Sequence, residues 1–289
     1  MPLVGTGEIV GAAAAARRGC GAFNAIQLEH ITAIIEGAAR AGAPVIVQLS
    51  QNAVAYHGAL APIGTAALAA AHTAGTAVAV HLDHAESAEL VREAVALGFG
   101  SVMFDASKLD YADNVRATRE VVAYCHDHGV WVEAELGEVG GKDGVHAPGA
   151  RTDPDEAAEF ALATGVDALA VAVGSSHAML TRDATLDFGL IARLREQVPV
   201  PLVLHGSSGV PDDGLAAAVR AGMTKINIAT QLNKVFTAAA AGDWQAHPDR
   251  VDPRKYLGAG RDAVAVEVRR LLDVLTSVDK CVKPNETAH

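Results

Sequence analysis

Ala77-Val78-Ala79-Val80-His81-Leu82-Asp83-His84-Ala85-Glu86-Ser87-Ala88-Glu89-Leu90-Val91-Arg92-Glu93-Ala94-Val95-Ala96-Leu97-Gly98-Phe99-Gly100-Ser101-Val102-Met103-Phe104-Asp105 is the stretch on which the fold turns. An apolar run (77–82) is followed by a helical pattern (87–97), a Gly98 stop and a second apolar run (101–104). Two parallel strands need a crossover about the size of a helix, so this order is the repeating unit of a parallel sheet. Ser87 offers an oxygen to first-turn N–H groups, and Gly98 can take the left-handed turn that ends a helix. Polar residues, His84 and Asp105, stand where each strand-like run ends.

The same beat runs outward in both directions. Strand-like runs fall at 21–25, 44–49, 77–82, 101–104, 130–136, 168–173, 201–204 and 225–228. Helical patterns lie between and after them, at 27–41, 62–74, 87–97, 111–128, 154–164, 187–197, 211–221 and 229–240. Eight such units are the number that closes a (β/α)₈ TIM barrel, which uses ~250 residues as one domain. We therefore expect an α/β chain whose residues 1–289 form one barrel with its site at the C-terminal ends of the strands. An open doubly wound sheet is the runner-up, but it calls for a Gly-rich dinucleotide turn after strand one, and Cys20-Gly21-Ala22-Phe23 is not one.

Two segments fall outside the beat. Residues 138–152, with Gly140, Gly141, Gly144 and Gly149, are too long for an ordinary strand-to-helix loop and read as a mobile active-site lid. Residues 242–275 form a helical extension that packs beneath the barrel or reaches a neighbouring subunit.

Composition narrows the function classes. Half of the 289 residues are hydrophobic, only 4% are aromatic, and the formal charge is −11. That charge disfavours nucleic acid and anionic membrane surfaces as partners, although a bound cation and oriented amides still permit a phosphorylated substrate. Cys20, Cys125 and Cys281 are too few and scattered for a disulfide framework and read as reduced thiols. The apolar stretch 9–16 lacks a basic leader and is followed by Arg17-Arg18, so it reads as a short helix capped near Thr6 rather than a signal peptide. No run reaches the ~20 apolar residues of a membrane span. A soluble, cytoplasmic protein is expected.

Polar residues stand at the end of every strand-like run: Asn24, Ser50 with Asn52, Asp83 with His84, Asp105, Glu135, His177, His205 and Asn227. Three imidazoles from three strand ends, His84, His177 and His205, can converge on one divalent metal and leave a position open, as in a catalytic zinc site. Asp83 beside the first of them is placed to move protons. Adjacent residues on a regular strand face opposite sides, so Asp83 and His84 share a pocket only if the strand has already ended at Asp83. Glu133 and Glu135 alternate and share a face, Glu135 serving as a ligand or as an outer partner. Asp105 is suited to holding a ligand imidazole. Lys225 could suggest Schiff-base chemistry, but it begins its run, the wrong end, and reads as structural or exposed. Gly206-Ser207-Ser208-Gly209 and Asn227-Ile228-Ala229-Thr230 offer backbone donors ahead of helices, which suits a phosphate.

At these residues the sequence resembles the class II, zinc-dependent fructose-bisphosphate and tagatose-bisphosphate aldolases. Likeness extends over residues 21–270 and includes Ala22-Phe23-Asn24, His81-Leu82-Asp83-His84, Val132-Glu133-Ala134-Glu135-Leu136-Gly137, Gly174-Ser175-Ser176-His177, His205-Gly206-Ser207-Ser208-Gly209 and Asp252-Pro253-Arg254. The resemblance implies His84, His177 and His205 as zinc ligands, with cobalt or manganese as replacements, and Glu135 as ligand at a more buried metal position. It implies Asp83 as the acid/base group and Ser50, Gly174, Gly206, Ser208, Asn227 and Thr230 around the dihydroxyacetone phosphate end, with a monovalent cation (Na⁺ or K⁺) nearby. Arg254 would reach the far phosphate from an adjacent subunit, implying a homodimer or homotetramer. The implied reaction is the glycolytic one, reversible cleavage of a ketose 1,6-bisphosphate, most directly fructose 1,6-bisphosphate, to dihydroxyacetone phosphate and glyceraldehyde 3-phosphate.

Three departures stand out. Ala178 occupies a position that is usually Gly in the family. Gly206-Ser207-Ser208-Gly209 replaces the frequent Gly-Gly-Ser-Gly. The lid glutamate is replaced by Asp143, with Glu138 as the alternative. Two other classes remain to be weighed. A barrel hydrolase would want a His-x-His pair on its first strand, and a non-catalytic companion subunit would be expected to have lost metal ligands.

Overall fold

The computed structural model describes residues 2–136 and 151–276. Its centre is a closed barrel of eight parallel strands, each paired with its sequence neighbours and the eighth with the first. The strands are β1 (Cys20–Asn24), β2 (Val45–Ser50), β3 (Val78–Ala85), β4 (Ser101–Phe104), β5 (Trp131–Leu136), β6 (Ala168–Val171), β7 (Leu202–Leu204) and β8 (Met223–Ile228). Around them, in chain order, lie α1 (Thr6–Ala15), α2 (Leu28–Ala41), α3 (Gln51–His57), α4 (Leu60–His72), α5 (Ala88–Leu97) and α6 (Tyr111–Asp127). They continue with α7 (Pro154–Thr164), α8 (Phe188–Gln197), α9 (Asp212–Ala221), α10 (Thr230–Ala246) and α11 (Pro253–Thr276).

Strand period two sorts the side chains. Phe23, Val45, Val47, Leu49, Val80, Leu82, Val102, Val132, Leu169, Leu204 and Ile226 belong to the large core between strands and helices. The alternate residues fill the barrel. Its floor is apolar: Cys20, Ala22, Ile46 and Ala79 pack with Ile9 and Val10 of α1, which closes that end. Above the floor the interior is polar and buried, with Gln48, His81, Ser101, Glu133 and Lys225, then Asp83, Asp105, Glu135, His205 and Asn227. Burying so many polar groups is costly unless each finds a partner or a ligand.

Helix ends follow the sequence chemistry. Ser87 accepts from Glu89 N–H at 3.1 Å and Leu90 N–H at 3.4 Å, while Gly98 ends α5 at φ +94°. Helix α1 begins at Thr6 after Gly5, whose N–H is taken by Glu8 Oε1 at 2.9 Å.

Two details differ from expectation. Helix α3 had not been expected, because Ser50 serves at once as a strand end and as the helix cap that accepts from Ala53 N–H at 3.2 Å. Helix α10 runs past Gly242 to Ala246, and α11 begins at Pro253, so Arg254 stands in its first turn. Helix α11 packs along α2, where a Cβ on Gly37 would come within 2.6 Å of Ala265 O, and reaches under β1, where Leu275 O accepts from Gly19 N–H at 3.1 Å. The expected lid over 138–152 lies, apart from Arg151 and Thr152, outside the described residues.

Among the described residues no single helix is long and apolar enough to cross a membrane. Helices α3 and α4 pass that test only as a pair, and they are bent by 113° at their break.

Candidate metal centre

Asp83 and His84 reach one pocket by a route the sequence did not reveal. Strand β3 does not end at Asp83; it runs on to Ala85, and its pairing with β4 slips between Leu82 and Ala85. His84 sits in the slip at φ +51°, the left-handed region. A bulge adds one residue to a strand and re-aims the next side chain. The inward Asp83 and the out-of-phase His84 thereby share the mouth, at the cost of local strain of a kind that clusters at functional sites.

The three histidine rings meet there. Ring centroids lie 5.3 Å apart for His84 and His177, 4.7 Å for His84 and His205, and 5.8 Å for His177 and His205. With Glu135 they offer four ligand atoms all within 4.8 Å of one another. One ion bonded at ~2 Å to each of two donors bridges up to ~4 Å, so this spread is close to what a single cation gathers.

Hydrogen bonds fix which nitrogens face the centre. Asp105 Oδ2 lies 2.8 Å from His84 Nδ1, so that nitrogen carries the proton and Nε2 is left as the lone pair. For His205 the roles reverse. Nε2 donates to Glu133 Oε1 at 2.9 Å, and the buried Nδ1 has no hydrogen-bond partner, facing Glu135 Oε2 at 3.2 Å. Burial opposes charge on His205, but its bond to Glu133 and the facing Glu135 carboxylate outweigh it and push its pKa up to about 9, so a proton holds Nδ1 wherever a metal does not. A cation is what this donor set lacks: two imidazole lone pairs are aimed by outer partners at a buried carboxylate. The residues present therefore fit a divalent metal.

Beneath the centre, Lys225 Nζ lies 2.8 Å from Glu133 Oε2. Burial would raise the Glu133 carboxyl, but the ammonium and the His205 bond hold it at about 2. His81 Nε2 approaches the same oxygen to 3.9 Å, and His81 Nδ1 shares a 2.8 Å hydrogen bond with Ser101 Oγ. Burial and the Lys225 charge keep this imidazole neutral, at about 3.

Asp83 is 2% exposed. Its Oδ2 accepts from Asn24 Nδ2 at 2.7 Å, and Asn24 Oδ1 in turn accepts from Gln48 Nε2 at 3.0 Å. The other oxygen, Oδ1, has no hydrogen-bond partner. Burial alone would raise this carboxyl. The charges of His84, His205 and Lys225 outweigh it and hold the group well below the usual carboxylate range, so an ionised oxygen, able to accept a proton, lies beside the histidines.

A cavity of about 300 Å³ opens onto this centre, lined by Asn24, Ser50, Asp83, His84, His177, Gly206, Ser208, Asn227 and Thr230 among others. Gly206 takes φ +65°, and a Cβ there would come within 2.6 Å of the Ser176 backbone, so glycine is required where the two loops touch. Ser208 Oγ already accepts from Ala229 N–H and Gln231 N–H at 3.2 Å each, which leaves its hydroxyl proton as the donor for a ligand. Asn227 Oδ1 accepts from Lys225 Nζ at 2.8 Å, leaving Nδ2 buried without a hydrogen-bond partner.

Ala178 takes φ +58°, which explains why glycine suits the position. Ala178→Gly relieves a strain of about 1–2 kcal/mol, partly offset by the greater freedom of glycine in the unfolded chain. A calorimetric melting temperature about 2 °C higher is expected; a lower one would show that the alanine is held without strain.

Other expected residues lie apart. Gly174 stands just beyond β6 at φ +116°, and Arg254 is on the outer surface, its guanidinium 2.8 Å from Asp252 Oδ2 with a side chain 88% exposed. Asp143 and Glu138 lie outside the described residues. Lys225, expected at a strand start, stands inside β8 and is fully buried, because β8 begins two residues earlier. Gln51 and Glu86 line the cavity and had not been singled out. Gln51 Oε1 accepts from Glu86 N–H at 2.9 Å, a link between the loops after β2 and β3 that no local pattern encodes.

Residues 4–280 match the family model described as fructose-bisphosphate aldolase class-II. Among solved structures, the YdjI aldolase from Escherichia coli K12 is similar at 32% identity and a TM-score of 0.84, over 96% of this chain and 99% of that one. A putative fructose-1,6-biphosphate aldolase from Coccidioides immitis shares 29% identity at TM-score 0.83, over 93% of this chain and 95% of that one. Fructose-bisphosphate aldolase from Campylobacter jejuni, at 21% identity and TM-score 0.77 over 94% and 95% of the two chains, shares the fold.

Proposed function

This chain belongs to the class II fructose-bisphosphate aldolase family, a metal-dependent group of carbon–carbon lyases, and from that premise we propose that it reversibly cleaves a ketose 1,6-bisphosphate. Fructose 1,6-bisphosphate is the substrate we assign, with dihydroxyacetone phosphate and glyceraldehyde 3-phosphate as products. One observation carries the reading: Asp83, with a free carboxylate oxygen, adjoins a set of His84, His177, His205 and Glu135 fit for one cation. A hydrolase reading lacks the His-x-His pair, and a companion-subunit reading is at odds with the complete ligand set.

Those four residues would hold zinc, which when bound supplies Lewis acidity at the ketone and hydroxyl oxygens beside the breaking bond, a contribution of about several kcal/mol. Asp83 Oδ1 takes the C4 hydroxyl proton in cleavage and returns it in condensation. Asn24 holds the other oxygen, so the accepting lone pair stays directed at the cavity. Among the described residues lining the cavity there is no Lys or Arg. The C1 phosphate is therefore assigned to backbone N–H groups at Gly206 and the start of α10, to the Ser208 and Thr230 hydroxyls, and to Asn227 Nδ2. Asp143, outside the described residues, is the proposed partner for the proton on the dihydroxyacetone phosphate carbon.

Arg254, exposed on α11, is proposed to bind the C6 phosphate of a substrate in a neighbouring protomer, which makes the working unit a homodimer or larger. Cys20 and Cys125, the buried free thiols among the described residues, favour a cytoplasmic setting. Steady-state comparison of fructose and tagatose 1,6-bisphosphates with the matching 1-phosphates tests the assignment. kcat/KM is expected to be highest for fructose 1,6-bisphosphate. Arg254→Ala should raise KM for the bisphosphate about 10-fold or more, the worth of a charge-assisted hydrogen bond, while sparing the 1-phosphate. Equal loss with both substrates would refute the Arg254 assignment, and a preference for the 1-phosphate would refute the bisphosphate reading.

A further inference from the structure

Glu133 and Lys225 are assigned no contact with the substrate in the chemistry above, yet they form a fully buried ion pair beneath the histidines. A buried pair of this kind gives little net stability, and neutral groups of similar shape often serve as well. Its presence asks for another reason.

The hydrogen bonds supply one. An ammonium only donates, so it fixes what faces it. Lys225 Nζ meets Glu133 Oε2 at 2.8 Å and Asn227 Oδ1 at 2.8 Å. Glu133 Oε1 is then left to accept from His205 Nε2 at 2.9 Å. With its proton on Nε2, His205 turns the Nδ1 lone pair to the cluster. The same ammonium forces the Asn227 amide to present Nδ2 to the cavity.

We propose that Glu133 and Lys225 are positioning residues that select the His205 tautomer, so that Nδ1 and not Nε2 is the metal-binding nitrogen. The inference rests on the metal-binding reading of the site, and touches no substrate atom. The pair acts through His205 alone on the metal, and through Asn227 on the substrate side.

The test uses zinc itself, by competition with a chromophoric chelator on full-length protein. In Glu133→Gln the side-chain oxygen must turn to Lys225, so the amide NH₂ faces His205 Nε2. That hydrogen bond selects the other tautomer and puts a proton on Nδ1, so zinc affinity should fall about 10- to 100-fold, the usual loss when an outer partner of a ligand is removed. In the double variant Glu133→Gln/Lys225→Met nothing holds the amide oxygen away from His205. It can accept from Nε2 again while its NH₂ turns to His81, and affinity should return to within about threefold of wild type. A merely structural pair predicts the opposite, since the double variant loses both members. A double variant as weak as Glu133→Gln, or a Glu133→Gln that binds zinc like wild type, overturns the proposal. Wild-type protein loaded with ¹¹³Cd gives a check that needs no variant. Metal–nitrogen coupling is expected at His205 Nδ1, and coupling at Nε2 overturns it. Wild-type protein that binds no zinc at all would overturn the metal reading as well, a result distinct from the others.

Discussion

Chelation of the divalent metal abolishes cleavage, and stoichiometric zinc or cobalt restores it: this is the largest effect expected. Lewis-acid assistance of about several kcal/mol corresponds to roughly a thousandfold or more in rate, at 1.4 kcal/mol per factor of ten. His205→Ala should approach the same loss without chelator. It also leaves Glu133 and Glu135, both buried, without the imidazole that now lies between them at 2.9 and 3.2 Å. The variant is therefore expected to melt earlier as well as to lose metal. His84→Ala is the cleaner probe. His84 is half-buried at the mouth, and its partner Asp105 keeps the Ser107 hydroxyl at 2.6 Å. Metal content measured after dialysis, beside cleavage rate, separates the cases. Full activity in metal-free protein would refute the metal reading. Substrate trapped on a lysine by borohydride would point to a different reaction altogether.

How much was legible in the sequence depends on how local the signal was. Strand β4 (Ser101–Phe104) and helix α7 (Pro154–Thr164) fall where the pattern placed them, because each is bounded by its own stop and start residues. Asp153, for instance, accepts from Asp155 N–H at 2.9 Å and Glu156 N–H at 3.1 Å, with Pro154 in the first turn. Eight strands in sequence order, with polar residues at one end, sufficed for the barrel.

What stayed hidden was set by pairing across the barrel. The slip that turns His84 inward depends on how β3 meets β4, and neither strand announces it alone. The role of Lys225 depends on Glu133, 92 positions earlier in the chain, meeting it inside a closed sheet. Helix α10 continues through Gly242 because its partner α11 packs against it, with Gly260 so close to Phe236 that a Cβ would come within 2.7 Å. The helical pattern, which reached only residue 240 in the sequence, is carried on by tertiary packing.

Asp83→Asn is the second large effect, and it isolates basicity from shape. Asparagine is nearly isosteric, and its carbonyl oxygen can take the 2.7 Å bond that Asn24 Nδ2 now gives Asp83 Oδ2. Its amide NH₂ then points where the unpartnered Oδ1 stood, putting a donor in place of the acceptor assigned to the C4 hydroxyl proton. Nothing in this exchange disturbs the histidines, so zinc content and KM should change little. kcat should fall by about 10²–10⁴, the range of general acid–base assistance. The second half-reaction sharpens the test. Solvent exchange of the dihydroxyacetone phosphate proton does not involve the C4 hydroxyl, so it should survive in Asp83→Asn at close to the wild-type rate. If cleavage and exchange fall together, Asp83 acts on the other proton or holds the site together, and the C4 assignment is wrong. If neither falls, the proton leaves by another group, and the free carboxylate oxygen beside the metal centre has no part in the chemistry.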